Sequence, residues 1–155
     1  MVKSQENVNR SYTSVVRNLI TNNFPELRAR TIPVEIKVNQ ESFGLGVWSK
    51  VFVGIFPCRP KIYGLFPSKL INHPKINIIE NGLFAHELAH ITNGDLSFLC
   101  LSKLVFQGRK REDFDLRYER ETKADNILIA RGLGNDYLIA RYALEELFPG
   151  FEKRK

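Results

Sequence analysis

Two histidines and a glutamate stand together in the segment His86-Glu87-Leu88-Ala89-His90. On a helix, a spacing of four residues places both imidazoles on one face, one turn apart, so both rings can reach a single ion. Neutral imidazole nitrogen is a good zinc ligand. Glu87 points away from both rings but can reach a water held by the metal, as a general base does. The segment therefore predicts that His86 and His90 bind one zinc ion, with Glu87 as the catalytic residue.

A catalytic zinc site needs a third protein ligand. The third histidine of the chain, His73, just precedes the start of the same predicted helix, several turns from His86 and too far to share the ion. On a later predicted helix, Glu121 and Asp125 lie one turn apart on the core-facing side. Glu121 is the predicted third ligand, and Asp125 is predicted to accept a hydrogen bond from a zinc-bound imidazole. The alternatives are a solvated acidic face, or Glu119 as ligand, although Glu119 points about 160° away from Glu121 on a helix.

The combination of His86-Glu87-Leu88-Ala89-His90 and Glu121-Thr122-Lys123-Ala124-Asp125 resembles the gluzincin metallopeptidases. Among these, the resemblance is to the soluble minimal members called minigluzincins. A similar catalytic core occurs in membrane peptidases of the HtpX and CAAX-prenyl-protease type, and a related one in ImmA/IrrE-type peptidases. The resemblance covers residues 61–132 and implies that His86, His90 and Glu121 bind zinc, while Glu87 polarises a water and passes its proton to the leaving amine.

The resemblance also implies a sheet edge that pairs with an extended substrate, for which Ile62, Tyr63 and Gly64 are the expected residues. No histidine remains to stabilise an oxyanion. Tyr118 is the candidate for that role, with Arg117 and Tyr137 as alternatives. A thiolate is an excellent zinc ligand, so Cys58 could block the site, although a turn cysteine without a metal role is the favoured interpretation.

The elements that must position these residues follow from periodicity, proline and glycine. We predict an α+β, zincin-like fold: an N-terminal helix, a small and mostly antiparallel sheet, a buried active-site helix and three further helices. The predicted ranges are a helix at 11–23, a strand at 34–38, a hairpin of 51–56 with 61–66, and helices at 74–93, 95–107, 116–131 and 136–148.

The 155 residues predict a single domain, 1–155, with residues 1–10 and 150–155 frayed. The two cysteines, Cys58 and Cys100, are far apart in the sequence, which predicts reduced thiols and a cytoplasmic protein. No apolar run is long enough to indicate a membrane span, and the polar N-terminus does not indicate a secretory signal. The net charge of +6 includes basic clusters at 109–111 and 153–155, interpreted as a solvated loop and tail, so nucleic-acid binding is disfavoured. The expected function is a zinc peptidase acting on extended peptides or unfolded protein. The alternative is a latent or non-proteolytic zinc protein that binds a protein or nucleic-acid partner.

Overall fold

A long helix precedes a small sheet, and the other helices follow it. The computed structural model describes residues 5–39, 43–49, 60–94 and 114–150. In chain order the elements are α1 (Gln5–Asn23), a 3-10 turn (Pro25–Leu27), β1 (Val34–Asn39), β2 (Gly44–Ser49), β3 (Pro60–Pro67), α2 (Ser68–Ile71), α3 (Ile76–Asn93), α4 (Phe114–Ala130) and α5 (Gly134–Leu147). The α+β class is confirmed. Within the described ranges, no helix combines the length and apolar character needed to cross a membrane.

The sheet has the strand order β1-β3-β2 and is mixed. β1 runs parallel to β3, with Val34 opposite Ile62, whereas β2 runs antiparallel to β3, with Val47 opposite the same residue. The prediction of a mostly antiparallel sheet is therefore wrong, because β3 returns between the two earlier strands in the direction of β1. A parallel pair needs a crossover between its strands, and this long-range pairing left no local signal in the sequence.

The central position of β3 corrects a second prediction. Ile62, Tyr63 and Gly64 are bonded to β1 along one edge and to β2 along the other, so they cannot pair with a substrate as edge residues. The strand predicted at 51–56 lies outside the described residues. The antiparallel partner of β3 that the structure does describe is β2, where Leu45 and Val47 alternate with glycines.

Three aromatic rings join the N-terminal helix, the sheet and α3. Tyr12 of α1 packs edge-on against Phe66 of β3, with ring centroids 5.2 Å apart, and contacts Phe84 of α3 at 5.5 Å. Phe66 in turn stacks on Phe84 at 5.9 Å. All three side chains are buried, so α3 is anchored to the sheet through one of its sides. Burial of each large aromatic contributes on the order of 1.5–3 kcal/mol before entropy is counted.

Helix α3 is buried on nearly every side, as predicted. The side that faces away from the sheet packs against α4 and α5. It begins at Ile76 rather than Pro74 and ends as predicted, with Gly94 at φ 77° donating its N–H to the carbonyls of His90 and Ile91. α1 begins at Gln5 rather than Ser11, so the helix includes residues 5–10. The predictions for 116–131 and 136–148 agree within two residues with α4 and α5. The helix predicted at 95–107, Cys58, Cys100 and both basic clusters lie outside the described residues.

Candidate metal centre

The two motifs of the sequence meet where α4 crosses α3. Ala124 and Leu128 of α4 are fully buried, which turns the face carrying Glu121 and Asp125 toward the core. His86 is 4 % exposed. Helical spacing and packing therefore bring together residues that are more than thirty positions apart in the chain.

Potential ligand atoms of three residues converge at this crossing. His86 Nε2 lies 3.0 Å from His90 Nε2 and 3.2 Å from Glu121 Oε2, and His90 Nε2 lies 3.7 Å from Glu121 Oε1. The ligand atoms of the three residues fall within 4.8 Å of one another, and they form the one such group found in the described part of the chain. The structure thus brings together the predicted ligands His86, His90 and Glu121 in a group that could hold a metal ion.

Asp125 lies on the other side of the His86 ring. Its Oδ1 atom is 3.4 Å from His86 Nδ1, and both atoms are shielded from solvent. A carboxylate facing Nδ1 favours the tautomer that carries its proton there, which leaves the lone pair of Nε2 directed at Glu121 and His90. Asp125 therefore lies at the ring nitrogen for which it is predicted, but the two atoms form no hydrogen bond with each other, so the predicted hydrogen bond itself stays a prediction.

Glu87 is also buried, with 8 % of its surface exposed. Its negative charge is one of the influences that raise the pKa of Tyr137, whose ring lies against His86, so the Glu87 carboxylate is within electrostatic range of the site. The structure therefore shows that Glu87 is buried, and its catalytic role stays a prediction.

Tyr137 of α5 is the main addition to the predicted site. Its ring stacks on the His86 imidazole with centroids 4.4 Å apart and planes within 8°. Burial, followed by the charge of Asp125, raises the pKa of Tyr137 far above its usual value, with Arg141 opposing the shift. The phenol is therefore neutral at physiological pH. From the sequence, Tyr137 is predicted only as an alternative oxyanion stabiliser. Its spacing from the buried Leu133 and Leu144 was the available signal that it faces inward.

The other named residues fall outside the group. Tyr118, the preferred oxyanion candidate, is 67 % exposed on α4. Glu119 is exposed and forms an ion pair with Lys123, with 2.6 Å between Nζ and Oε1. His73 accepts a hydrogen bond from the backbone N–H of Lys75 through Nδ1 at 3.1 Å and is not among the converging ligands.

Comparison of the chain with protein-family models, with curated proteins and with solved structures gave no match. The resemblance to gluzincins therefore stays a prediction that rests on the two motifs.

Proposed function

We propose that the chain is a zinc-dependent peptidase whose metal is held by His86, His90 and Glu121. The observation that carries the proposal is the spacing of the three ligand atoms. Zinc bonds of about 2.0–2.1 Å in a tetrahedron separate neighbouring ligand atoms by about 3.3–3.4 Å. The two imidazole nitrogens are 3.0 Å apart, and the carboxylate of Glu121 comes within 3.2 Å of His86 through Oε2 and within 3.7 Å of His90 through Oε1, so the contacts among the three residues bracket that value. Two imidazoles and one carboxylate suit zinc or a similar transition metal better than calcium or magnesium, which prefer oxygen ligands.

The exposure of the ligands supports a catalytic site over a structural one. A structural zinc ion is enclosed by four protein ligands, whereas a catalytic ion keeps one position for water or substrate. Among the residues that the structure describes, three side chains converge, and those of His90 and Glu121 are 15 % and 37 % exposed. Water and a substrate carbonyl can therefore reach the open side of the group.

Glu87 carries the proton transfers in this proposal. A bound zinc ion would supply Lewis acidity, lowering the pKa of a coordinated water toward about 7 and polarising the scissile carbonyl. The buried Glu87 carboxylate accepts the proton of the attacking water and later donates it to the leaving amine. His86, with the Asp125 carboxylate 3.4 Å from Nδ1, would direct the lone pair of Nε2 into the site.

Extended peptides or locally unfolded proteins are the proposed substrates. The sheet edge suited to binding them differs from the one predicted, because β3 is central. Of the two outer strands, β2 is the one that contacts α3, whereas β1 contacts α1. Main-chain pairing along Gly44–Ser49 would lay a peptide beside the helix that carries Glu87.

The test is the variant Glu87→Gln, which keeps the size of the side chain and removes its basicity. We expect it to bind one zinc per chain like the wild type and to lose about 10²–10⁴-fold in cleavage of an unfolded protein such as casein. Glu146→Gln, an exposed acid on α5, is the matched control and should cleave normally.

Equal cleavage by wild type and Glu87→Gln would overturn the peptidase assignment. A zinc-loaded wild type that cleaves no substrate would do the same and would favour the non-proteolytic zinc protein.

A further inference from the structure

Helices α3 and α5 approach each other closely at Gly82, one helical turn before His86. A Cβ atom at Gly82 would lie 2.4 Å from the carbonyl oxygen of Asp136 and 2.7 Å from Cα of Tyr137. Both partners are backbone atoms, which cannot move aside as a flexible side chain can. The first turn of α5 therefore rests directly on the backbone of α3, and only glycine fits at position 82.

This close approach determines where Tyr137 lies. Gly82 and His86 share one face of α3, so a helix that touches the backbone at Gly82 extends its next side chain over His86. Tyr137 follows the contact residue Asp136 and is 7 % exposed. Its ring covers the imidazole nearly parallel, at 4.4 Å and 8°.

The His86 ring has a neighbour at one edge and another against one face. At the edge, the Asp125 carboxylate lies 3.4 Å from Nδ1 without a hydrogen bond between the two atoms. This contact alone leaves the ring free to rotate about its Cβ–Cγ bond. A flat aromatic surface against one face resists that rotation, since rotation would drive the imidazole into the phenol ring.

We propose that Tyr137 is a positioning residue of the metal centre: its ring, brought onto α3 by Gly82, holds the His86 imidazole in the orientation in which Nε2 faces His90 and Glu121. The inference rests on the metal site of the proposed function but does not require peptidase activity. Residues that orient a metal ligand typically change metal affinity by about 10–100-fold when removed, although they do not touch the ion.

The experiment compares three substitutions in the full chain, with zinc and cobalt as probes. Tyr137→Leu removes the flat ring and keeps an apolar side chain, Tyr137→Phe keeps the ring, and Tyr142→Leu removes a tyrosine that is 69 % exposed on the same helix. Zinc affinity is measured by competition with a coloured chelator, and the ligand geometry by the visible absorption of the cobalt-loaded protein. We expect Tyr137→Leu to bind zinc about 10–100-fold more weakly with an altered cobalt spectrum. Tyr137→Phe should restore both, and Tyr142→Leu should match the wild type.

A second measurement, by proton NMR, detects the stacking of Tyr137 on His86 in the metal-free protein. The face of an aromatic ring shifts the proton resonances of a group lying against it upfield, and the chain has only three histidines to assign. In metal-free wild type and Tyr137→Phe, the His86 ring protons should resonate upfield of those of His73. The shift should vanish in Tyr137→Leu. It should also shrink in Gly82→Ala, because the added methyl displaces α5.

Wild-type zinc affinity and cobalt spectrum in a folded Tyr137→Leu would overturn the inference, as would unshifted His86 protons in the wild type. Equal weakening in Tyr137→Phe and Tyr137→Leu would also overturn it, since the hydroxyl rather than the ring would then matter. A wild type that binds zinc but cleaves nothing would refute the peptidase alone and leave this comparison intact. A chain that binds neither ion would refute both.

Discussion

Helix α3 carries a buried tyrosine against each of its two sides, and the two tyrosines have different surroundings. On the sheet side, Tyr12 packs against Phe66 and Phe84 and donates its hydroxyl hydrogen bond to the buried Glu80. Burial, together with the charge of and hydrogen bond to Glu80, raises the pKa of Tyr12 well above its usual value. On this side of α3, the hydrogen bond between Tyr12 and Glu80 gives each of the two buried polar groups a partner.

On the opposite side, Tyr137 covers an imidazole instead of bonding to a carboxylate. Its neighbour His86 belongs to the group of His86, His90 and Glu121, whose potential ligand atoms lie within 4.8 Å of one another. Both tyrosines are buried, both lie near carboxylates, and both have raised pKa values. A raised tyrosine pKa therefore does not distinguish the candidate metal site from the Tyr12–Glu80 pair. The convergence of potential ligand atoms from three residues does.

The largest effect we expect comes from the sheet side. Phe84→Ala removes a fully buried ring between Tyr12 and Phe66 and should lower the free energy of unfolding by about 3–5 kcal/mol. Urea titration of the metal-free chain measures this loss. The remaining folded protein should still bind one zinc per chain. Loss of zinc from protein that is still folded would show that the two sides are not independent.

On the metal side, Glu121→Ala should weaken zinc binding by on the order of 10²–10³-fold. This estimate divides a binding free energy of about 10–16 kcal/mol among four ligands. The Glu121 side chain is 37 % exposed, so the metal-free protein should keep its stability. Glu119→Ala, two residues earlier on α4 and pointing to solvent, is the control for calorimetric zinc titration. Equal affinities in the two variants would remove Glu121 from the site.

A smaller effect tests the structural pair. Tyr12→Phe removes the hydroxyl that donates to Glu80 and keeps the packing of the ring, so a buried carboxylate loses one donor. We expect the free energy of unfolding to fall by about 1–2 kcal/mol, with zinc affinity unchanged. A change in zinc affinity larger than about twofold in chelator competition would contradict the contrast between the two tyrosines.

The smallest expected effect concerns a contact of Glu26 at the C-terminal end of α3. Glu26 accepts hydrogen bonds from Thr92 of α3 and from Arg131, which follows α4, both at 2.8 Å. Burial raises the pKa of Glu26, but its backbone hydrogen bond and the bonds from Arg131 and Thr92 outweigh this and lower it below 4.5. The stabilisation is thus present above the unfolded value of 4.5 and is lost as pH falls through the lowered folded value.

Because the Glu26 side chain is 40 % exposed, the contribution should be less than about 1 kcal/mol. The stability difference between wild type and Glu26→Gln, measured by urea titration at several pH values, should be constant near neutral pH and shrink below pH 4.5. A difference that persists at low pH would assign the effect to packing instead of charge.

The candidate metal site could be predicted from the sequence because local helix geometry fixes the spacing of its residues. A four-residue spacing on a helix determines that His86 and His90 share a face, and the same rule pairs Glu121 with Asp125. The meeting of the two helices was inferred from the cost of burying acids without a partner, and the structure brings the four side chains together.

The strand order of the sheet and the packing of Tyr137 on His86 could not be predicted in this way. The place of β3 between β1 and β2 depends on long-range pairing that leaves no periodic signal. An isolated glycine within a helix indicates a close packing contact, but the sequence does not say which element makes it. The contact of Gly82 with α5, and with it the stack of Tyr137 on His86, needed coordinates.

The measurement that tests the central claim most directly is the X-ray absorption spectrum of the zinc-loaded chain at the zinc edge. We predict a shell of nitrogen and oxygen atoms at about 2.0–2.1 Å that includes two imidazoles. Fewer than two imidazoles around the metal, or a shell dominated by sulfur at about 2.3 Å, would contradict binding by His86, His90 and Glu121.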